Sequence, residues 1–144
     1  MAVTIQIFYD GMVDALETWQ SSDDIKVAVL DATNNIARGD AAPELADYTQ
    51  ITDAAGYVTK SVGTWGNFIT RSTNVINFGG TDPVWADGDS TDTDARYLLY
   101  YNDTQSGDPC FGWVDMGANF DMGGGAGLSG AQGTNFFTVT IPAS

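Results

Sequence analysis

Asp94-Ala-Arg-Tyr-Leu-Leu-Tyr-Tyr101, followed after a turn-rich link by Cys110-Phe-Gly-Trp-Val-Asp-Met116, is the stretch whose pattern sets the fold class. In the first run Ala95, Tyr97, Leu99 and Tyr101 alternate with Arg96, Leu98 and Tyr100, a period of two that puts each set on one face of a β-strand. Both sets are largely apolar. A half-solvated strand would carry polar residues at every second position, so this one belongs in the middle of a sheet with both faces covered, by the chain's own loops or by another subunit. Asn102 to Pro109 is rich in turn residues, which makes the Cys110 run its antiparallel partner.

Upstream, Val3, Ile5, Ile7 and Tyr9 alternate with Thr4, Gln6 and Phe8 in a strand closed by Asp10-Gly11. Met12 to Gln20 fits a short helix or a second strand, because Met12, Leu16 and Trp19 have helical spacing over less than three turns. Ile25 to Leu30 reads as a strand, Asp31 to Pro43 as a long polar connection, and Glu44 to Gln50 as ambiguous. Gly56 to Val62, Asn67 to Ser72 and Asn74 to Phe78 read as short strands of a meander or sandwich. Gly117 to Gly133, with Gly123-Gly124-Gly125, reads as a long loop docked through Phe120, Met122 or Leu128. Phe137, Val139 and Ile141 line one face of a last strand. The expectation is an all-β chain: a single domain over residues 1–144, built as one antiparallel β-sandwich, jelly-roll-like or a partly open barrel, with long polar loops and about seven to nine strands. Residues 1–43 are its less securely placed part, completing the fold or reaching a neighbouring subunit by strand addition.

Composition narrows the function classes. The 144 residues include 5 Lys plus Arg against 19 Asp plus Glu, a formal net charge of −14, with no His and one Cys. Size scaling gives a folded surface of about 7,000 Å² against roughly 22,000 Å² extended, enough burial for a core without disulfides. Without His, the usual zinc sites and the Ser-His and Cys-His nucleophile pairs cannot be built. Gripping a nucleic acid needs clustered cations, and Lys26, Arg38, Lys60, Arg71 and Arg96 are dispersed. No run approaches the roughly 18 apolar residues of a membrane span, and the first residues lack the basic segment of a secretory leader, so neither membrane nor secretion is expected. With 43% apolar residues, the acid coats a folded body instead of keeping the chain unfolded.

Among polar clusters, Asp87-Gly-Asp-Ser-Thr-Asp-Thr-Asp94 is the sharpest, and Asp87, Asp89, Asp92 and Asp94 are candidate ligands for a hard cation such as Ca²⁺. The run lacks the Gly and Glu positions of an EF-hand, and a solvated acidic loop explains the same residues. Asp115, placed by alternation on the face of Phe111 and Trp113, reads as a hydrogen-bonded structural carboxylate before a catalytic acid. Cys110 reads as a small buried hydrophobe. Asn102-Asp-Thr104 matches a glycosylation acceptor but carries little weight without a leader. No cofactor and no catalytic residue is expected, and an Asp-dependent hydrolase would need two carboxylates converging in a cleft. Trp19, Trp65, Trp85 and Trp113 with the tyrosines exceed a minimal core, so an interface through Tyr97, Leu98, Tyr100, Trp85 and Trp113 is expected, or a carbohydrate platform of tryptophans.

The second half also resembles a group of small structural proteins of tailed bacteriophages. These carry an Ala-Arg-Tyr strand, a polar turn, a Leu-Gly-Tyr-Val-Asp-like strand and a closing Thr-rich strand, here Ala95-Arg-Tyr97, Cys110-Phe-Gly-Trp-Val-Asp-Met-Gly117 and Asn135-Phe-Phe-Thr-Val-Thr-Ile-Pro142. Gly56-Tyr57, Asn77-Phe78 and Pro83-Val-Trp85 stand where similar proteins have related segments, so the likeness covers about residues 44 to 142. It implies a non-enzymatic virion protein on the outer capsid surface, a decoration or cement protein bound to the major capsid protein or other virion proteins. The same resemblance implies a homo-oligomer, with a trimer among the states, and leaves a tail or receptor-binding, carbohydrate-recognising component as the alternative. The longer Gly-rich loop and the Asp-dense segment before Ala95 depart from the group's pattern.

Overall fold

The computed structural model describes residues 3–51, 57–72, 75–125, 127–129 and 137–140. In chain order these form β1 (Thr4–Ile7), α1 (Tyr9–Glu17), β2 (Asp24–Asp31), a 3₁₀ turn at Leu45–Asp47, β3 (Lys60–Thr64), α2 (Trp65–Phe68), β4 (Ile69–Ser72), β5 (Val75–Phe78), β6 (Val84–Trp85), β7 (Ala95–Asn102), β8 (Cys110–Phe120), β9 (Leu128–Ser129) and β10 (Phe137–Thr140). The expected strand limits at Gly56, Asn74 and Ile141, and residues 126 and 130–133 of the expected Gly-rich loop, lie outside the described residues. Asn67 and Phe68, expected in a strand, close α2, and Gly117 to Phe120, expected in the loop, extend β8.

Two sheets dominate. One is five-stranded in the order β1-β8-β7-β2-β3, the other three-stranded in the order β10-β5-β4, and β6 and β9 form a separate pair. All pairings are antiparallel. The arrangement is sandwich-like and does not close into a barrel, since β1 and β3 remain edges. The β7–β8 pairing expected from alternation is present, with Leu98 opposite Val114 and Leu99 opposite Trp113. β1 and β2 both belong to the larger sheet, so the amino-terminal part is built into this chain's own fold, with Ile5 opposite Val114.

β2 shows why the centre of the sheet is apolar on both sides. Ile25, Val27 and Val29 point into one core with Leu98 and Tyr100 of β7 and Phe111 and Val114 of β8, where they meet Val62, Trp65, Phe68, Phe78 and Trp85. Ala28 and Leu30 point the other way, into a second cluster with Leu99, Tyr101, Cys110, Trp113 and Phe8. That second face is covered by the chain itself. Ile36, Leu45 and Tyr48, from the connection after β2, lie on it. The connection crosses the sheet as a strap tied at both ends: Cys110 N–H donates to Pro43 O and Leu45 N–H to Asp108 O, while Ile51 N–H donates to Val29 O and Asp31 N–H to Thr49 O. Of the two covers open from the sequence, loop or subunit, the loop is the one observed.

Two irregularities break the period of two. Tyr100 pairs with Gly112 but Tyr101 with Cys110, so Phe111 has no partner on β7 and turns into the first core, while Trp113 turns into the second. Phe111 and Trp113 therefore do not share the face that alternation gave them. At the other end Tyr97 pairs with Leu30 and Ala95 with Asp31; Arg96 is the extra residue, and Ala95 joins the first core although Tyr97 packs on the second.

α1 settles the helix-or-strand ambiguity of Met12 to Gln20, and it begins earlier than expected, so Tyr9 and Asp10-Gly11 are its first turn and not the end of the first strand. Asp10 sits in the first turn, where a carboxylate suits the helix dipole, and Thr18 ends the helix by donating its N–H and hydroxyl to Asp14 O, each at 2.8 Å. The helix lies close on β8 because Gly11 has no side chain: a Cβ there would stand 2.2 Å from Cys110 O. Gly11→Ala gains about 1 kcal/mol of intrinsic helix propensity but forces two backbones apart, an overpacking cost of about 1–3 kcal/mol. A net fall in the urea midpoint is expected, whereas Gly39→Ala, with open space at that position, leaves it nearly unchanged.

Candidate functional site

The sequence-selected positions do not gather at one place on the surface. Trp85 and Tyr100 are fully buried, Leu98 and Trp113 are buried, and Tyr97 is half-buried beside the second cluster. The expected interface through these five is therefore corrected: four of them have no side-chain surface to offer, because the three-stranded sheet and the strap already cover the two faces of β7. Trp19 and Trp65 are buried as well, edge to face at 4.9 Å, so all four tryptophans are spent on packing and no platform of exposed indoles forms.

Asp87, Asp89, Asp92 and Asp94 serve loop geometry. Asp89 Oδ2 accepts the Ala86 N–H at 2.9 Å, Asp87 Oδ1 accepts the Gly125 N–H at 3.0 Å, and the carbonyls of Asp92 and Asp94 accept the N–H groups of Met122 and Ala32. The acidic run and the Gly-rich run are thus partners, joined backbone to carboxylate and anchored by buried Met122. Among the described residues, no group of three or more Asp, Glu or Cys converges to hold a metal ion.

Asp115 is held by Arg96. The guanidinium Nε lies 2.6 Å from Oδ1 and an Nη 3.2 Å from Oδ2, and the Gly117 N–H donates to Oδ1 at 2.8 Å. Arg96 first, then the Gly117 donor, outweigh partial burial and keep the carboxyl below the usual range. That is the chemistry of a structural ion pair, the opposite of a proton donor near neutrality. Cys110 is buried, and burial pushes its thiol far above the usual range, against any role as a thiolate. Asn102, the glycosylation candidate, is also buried, and its amide donates to Asp23 Oδ2 at 2.8 Å.

Asp23 itself carries no sequence signal, yet it is the most enclosed carboxylate described, 3% exposed. Burial alone would push its carboxyl up. The side-chain amides of Asn102 and Gln105, both at 2.8 Å, and the Gln20 N–H at 3.1 Å outweigh that and hold it below the usual range. For Asp23 and Asp115 the folded pKa thus lies below the unfolded value of about 3.9, so the unfolded chain binds protons first. Their contribution is complete above the unfolded value and disappears as pH falls through the folded one. Asp108, pushed up by burial and by Asp103, acts in the opposite sense. A urea midpoint that is steady near pH 5 and drops between about pH 4 and 2 is expected; a midpoint rising through that interval would contradict the assignment.

A cleft of about 370 Å³ opens between α1 and two turns, lined by Asp10, Asp14, Thr18, Pro43, Glu44 and Gln105 among others. Its carboxylates are engaged: Asp10 accepts the Ala42 N–H, Asp14 accepts the Thr18 hydroxyl and the Trp19 indole N–H, and Glu44 takes part in a reciprocal cap with Asp47. What the sequence reading missed lies on the same helix. Tyr9, Val13 and Leu16 are all exposed, the largest apolar side chains to be so on any one described element. The signal was their spacing of four and three, visible only once the segment is taken as a helix. No family model matches the chain, and neither a curated protein nor a solved structure matches it.

Proposed function

We propose that this chain is a non-enzymatic structural protein of a tailed-bacteriophage virion, an outer decoration or cement protein binding the major capsid lattice in several copies. The observation that carries the reading is the β7–β8 hairpin. The Ala-Arg-Tyr and Gly-Trp-Val-Asp runs that resemble those proteins form its two strands, and Arg96 and Asp115, one from each, close on each other at 2.6 Å. The jelly-roll-like arrangement expected from sequence belongs to the same proposal.

Physical coherence supports it. A lattice protein needs a stable body and weak contacts multiplied by symmetry, without turnover chemistry. An acidic surface of net charge −14 also opposes adventitious binding to nucleic acid. The test is density in intact particles: a β-sandwich of this size at symmetry-related sites on the capsid exterior is the expected result. Density at the tail alone would replace this reading with a tail component, and a particle lacking the chain would overturn both.

A further inference from the structure

We propose that the exposed face of α1 docks an apolar segment of another protein that carries Lys or Arg beside its apolar residues. The surface is argued from this chain alone and stands whichever assembly holds it.

The helix has more apolar surface than the fold uses. Gly11 and Ala15 are buried and Met12 half-buried, and these face the sheet. Tyr9, Val13 and Leu16, at i, i+4 and i+7, form an adjacent stripe that is 61%, 52% and 70% exposed. A surface helix meets its core with an apolar arc of about 100°, whereas at 100° per residue the arc here spans roughly 200°. The excess is an ordered stripe of large side chains on a helix, with Val3 and Ile5 also exposed just upstream.

Charge selects the occupant. Asp10, Asp14 and Glu17 repeat the same spacing along the face next to the stripe, and the helix contains no Lys or Arg. Arg38 is the cation at its start: its guanidinium lies 5.8 Å from the Tyr9 ring centroid, and its carbonyl accepts the Tyr9 N–H. A second copy would bring an identical acidic row, on a chain of net charge −14, against this one. A basic, apolar helix or strand instead covers the stripe while its cations meet the negative charge of this row, most directly at exposed Glu17, since Asp10 and Asp14 also accept hydrogen bonds from Ala42, Thr18 and Trp19.

The test is a titration of the ¹⁵N-labelled full chain with a synthetic helical peptide of leucine and lysine, about five turns long. Shift changes centred on residues 9–17 are expected. A glycine-lysine peptide of equal charge, which measures general attraction to an acidic chain, is expected to bind at least about tenfold more weakly. Leu16→Ser and Val13→Ser, both at exposed positions, are expected to weaken leucine-lysine binding about tenfold, and Glu17→Lys to weaken it and flatten its salt dependence. Equal binding of both peptides, shifts spread over the whole acidic surface, or indifference to Leu16→Ser would overturn the proposal. Leu16-dependent dimerisation of the free chain in sedimentation would overturn it too, by naming a second copy as the occupant.

Discussion

Phe111→Ala is expected to lower the free energy of unfolding by about 3–5 kcal/mol, the range for removing a fully buried aromatic. Phe111 has no solvent exposure, and its ring lies 5.4 Å from Trp65, 5.8 Å from Phe78, 6.0 Å from Trp19 and 6.1 Å from Phe68. It therefore joins α2, the segment between α1 and β2, the larger sheet and the three-stranded sheet at one point. The site is ringed by rigid aromatics that cannot collapse into the vacated space, which favours the upper part of the range. Phe111→Leu, which keeps most of the volume, is expected to cost under about 1.5 kcal/mol. Urea denaturation of the three proteins measures this directly; equal losses for Ala and Leu would show that ring shape, and not filled volume, governs the site.

Asp23→Ala is expected to cost about 3–4 kcal/mol, because hydrogen bonds to a charged group contribute about 1.5–3 kcal/mol and the buried Asn102 amide is left with a lost acceptor. The residue ties distant parts of the chain. Its carboxylate gathers Gln20, Asn102 and Gln105, and its carbonyl accepts the Trp65 N–H at 2.7 Å. Asp23→Asn retains the shape but faces one amide with another, so about half the loss is expected. The pH profile separates this network from simple packing: both variants lose part of the acid-induced drop of the wild-type chain, since the carboxylate with the depressed pKa is gone. A full-sized loss with an unchanged acid profile would assign the stability to contacts other than the charge.

The parts legible in the sequence are those where a regular period meets a regular element. β2 and β7 could be placed because Ile25, Val27 and Val29, and Tyr97, Leu99 and Tyr101, keep a period of two. Of the three anchors named for the Gly-rich stretch, Met122 and Leu128 are buried, whereas Phe120 ends β8, which runs on through Gly117 where a loop was expected. Regularity also misled. One unpaired residue at Phe111 inverts every assignment beyond it, and nothing in Cys110-Phe-Gly-Trp announces the irregularity. α1 stayed open between helix and strand because Met12, Leu16 and Trp19 keep helical spacing for less than three turns, and its exposed stripe was missed because Tyr9 was read into the preceding strand. Alternation at β7 says that both faces are covered and not by what, so Tyr97, Leu98 and Tyr100 were open to a subunit reading that the strap and the smaller sheet replace. Asp23 was invisible because its two side-chain partners, Asn102 and Gln105, lie 79 and 82 positions away in sequence.

The strap has a dynamic consequence. It is held by backbone hydrogen bonds at its ends, by Arg38 O and Ala42 N–H on α1, by Asn34 on Thr49, and by the side chains of Ile36, Leu45 and Tyr48, without the continuous ladder that unites the central strands. Segments so attached open before the whole molecule does. In native-state hydrogen exchange, the amides of Cys110 and Leu45 should therefore become labelled well before those of Val27 and Leu99. Each opening uncovers Leu30, Leu99, Tyr101 and Trp113, a wall of apolar surface otherwise sealed by the chain itself, and the frequency of that event sets how often crowded copies of this acidic protein can stick to one another.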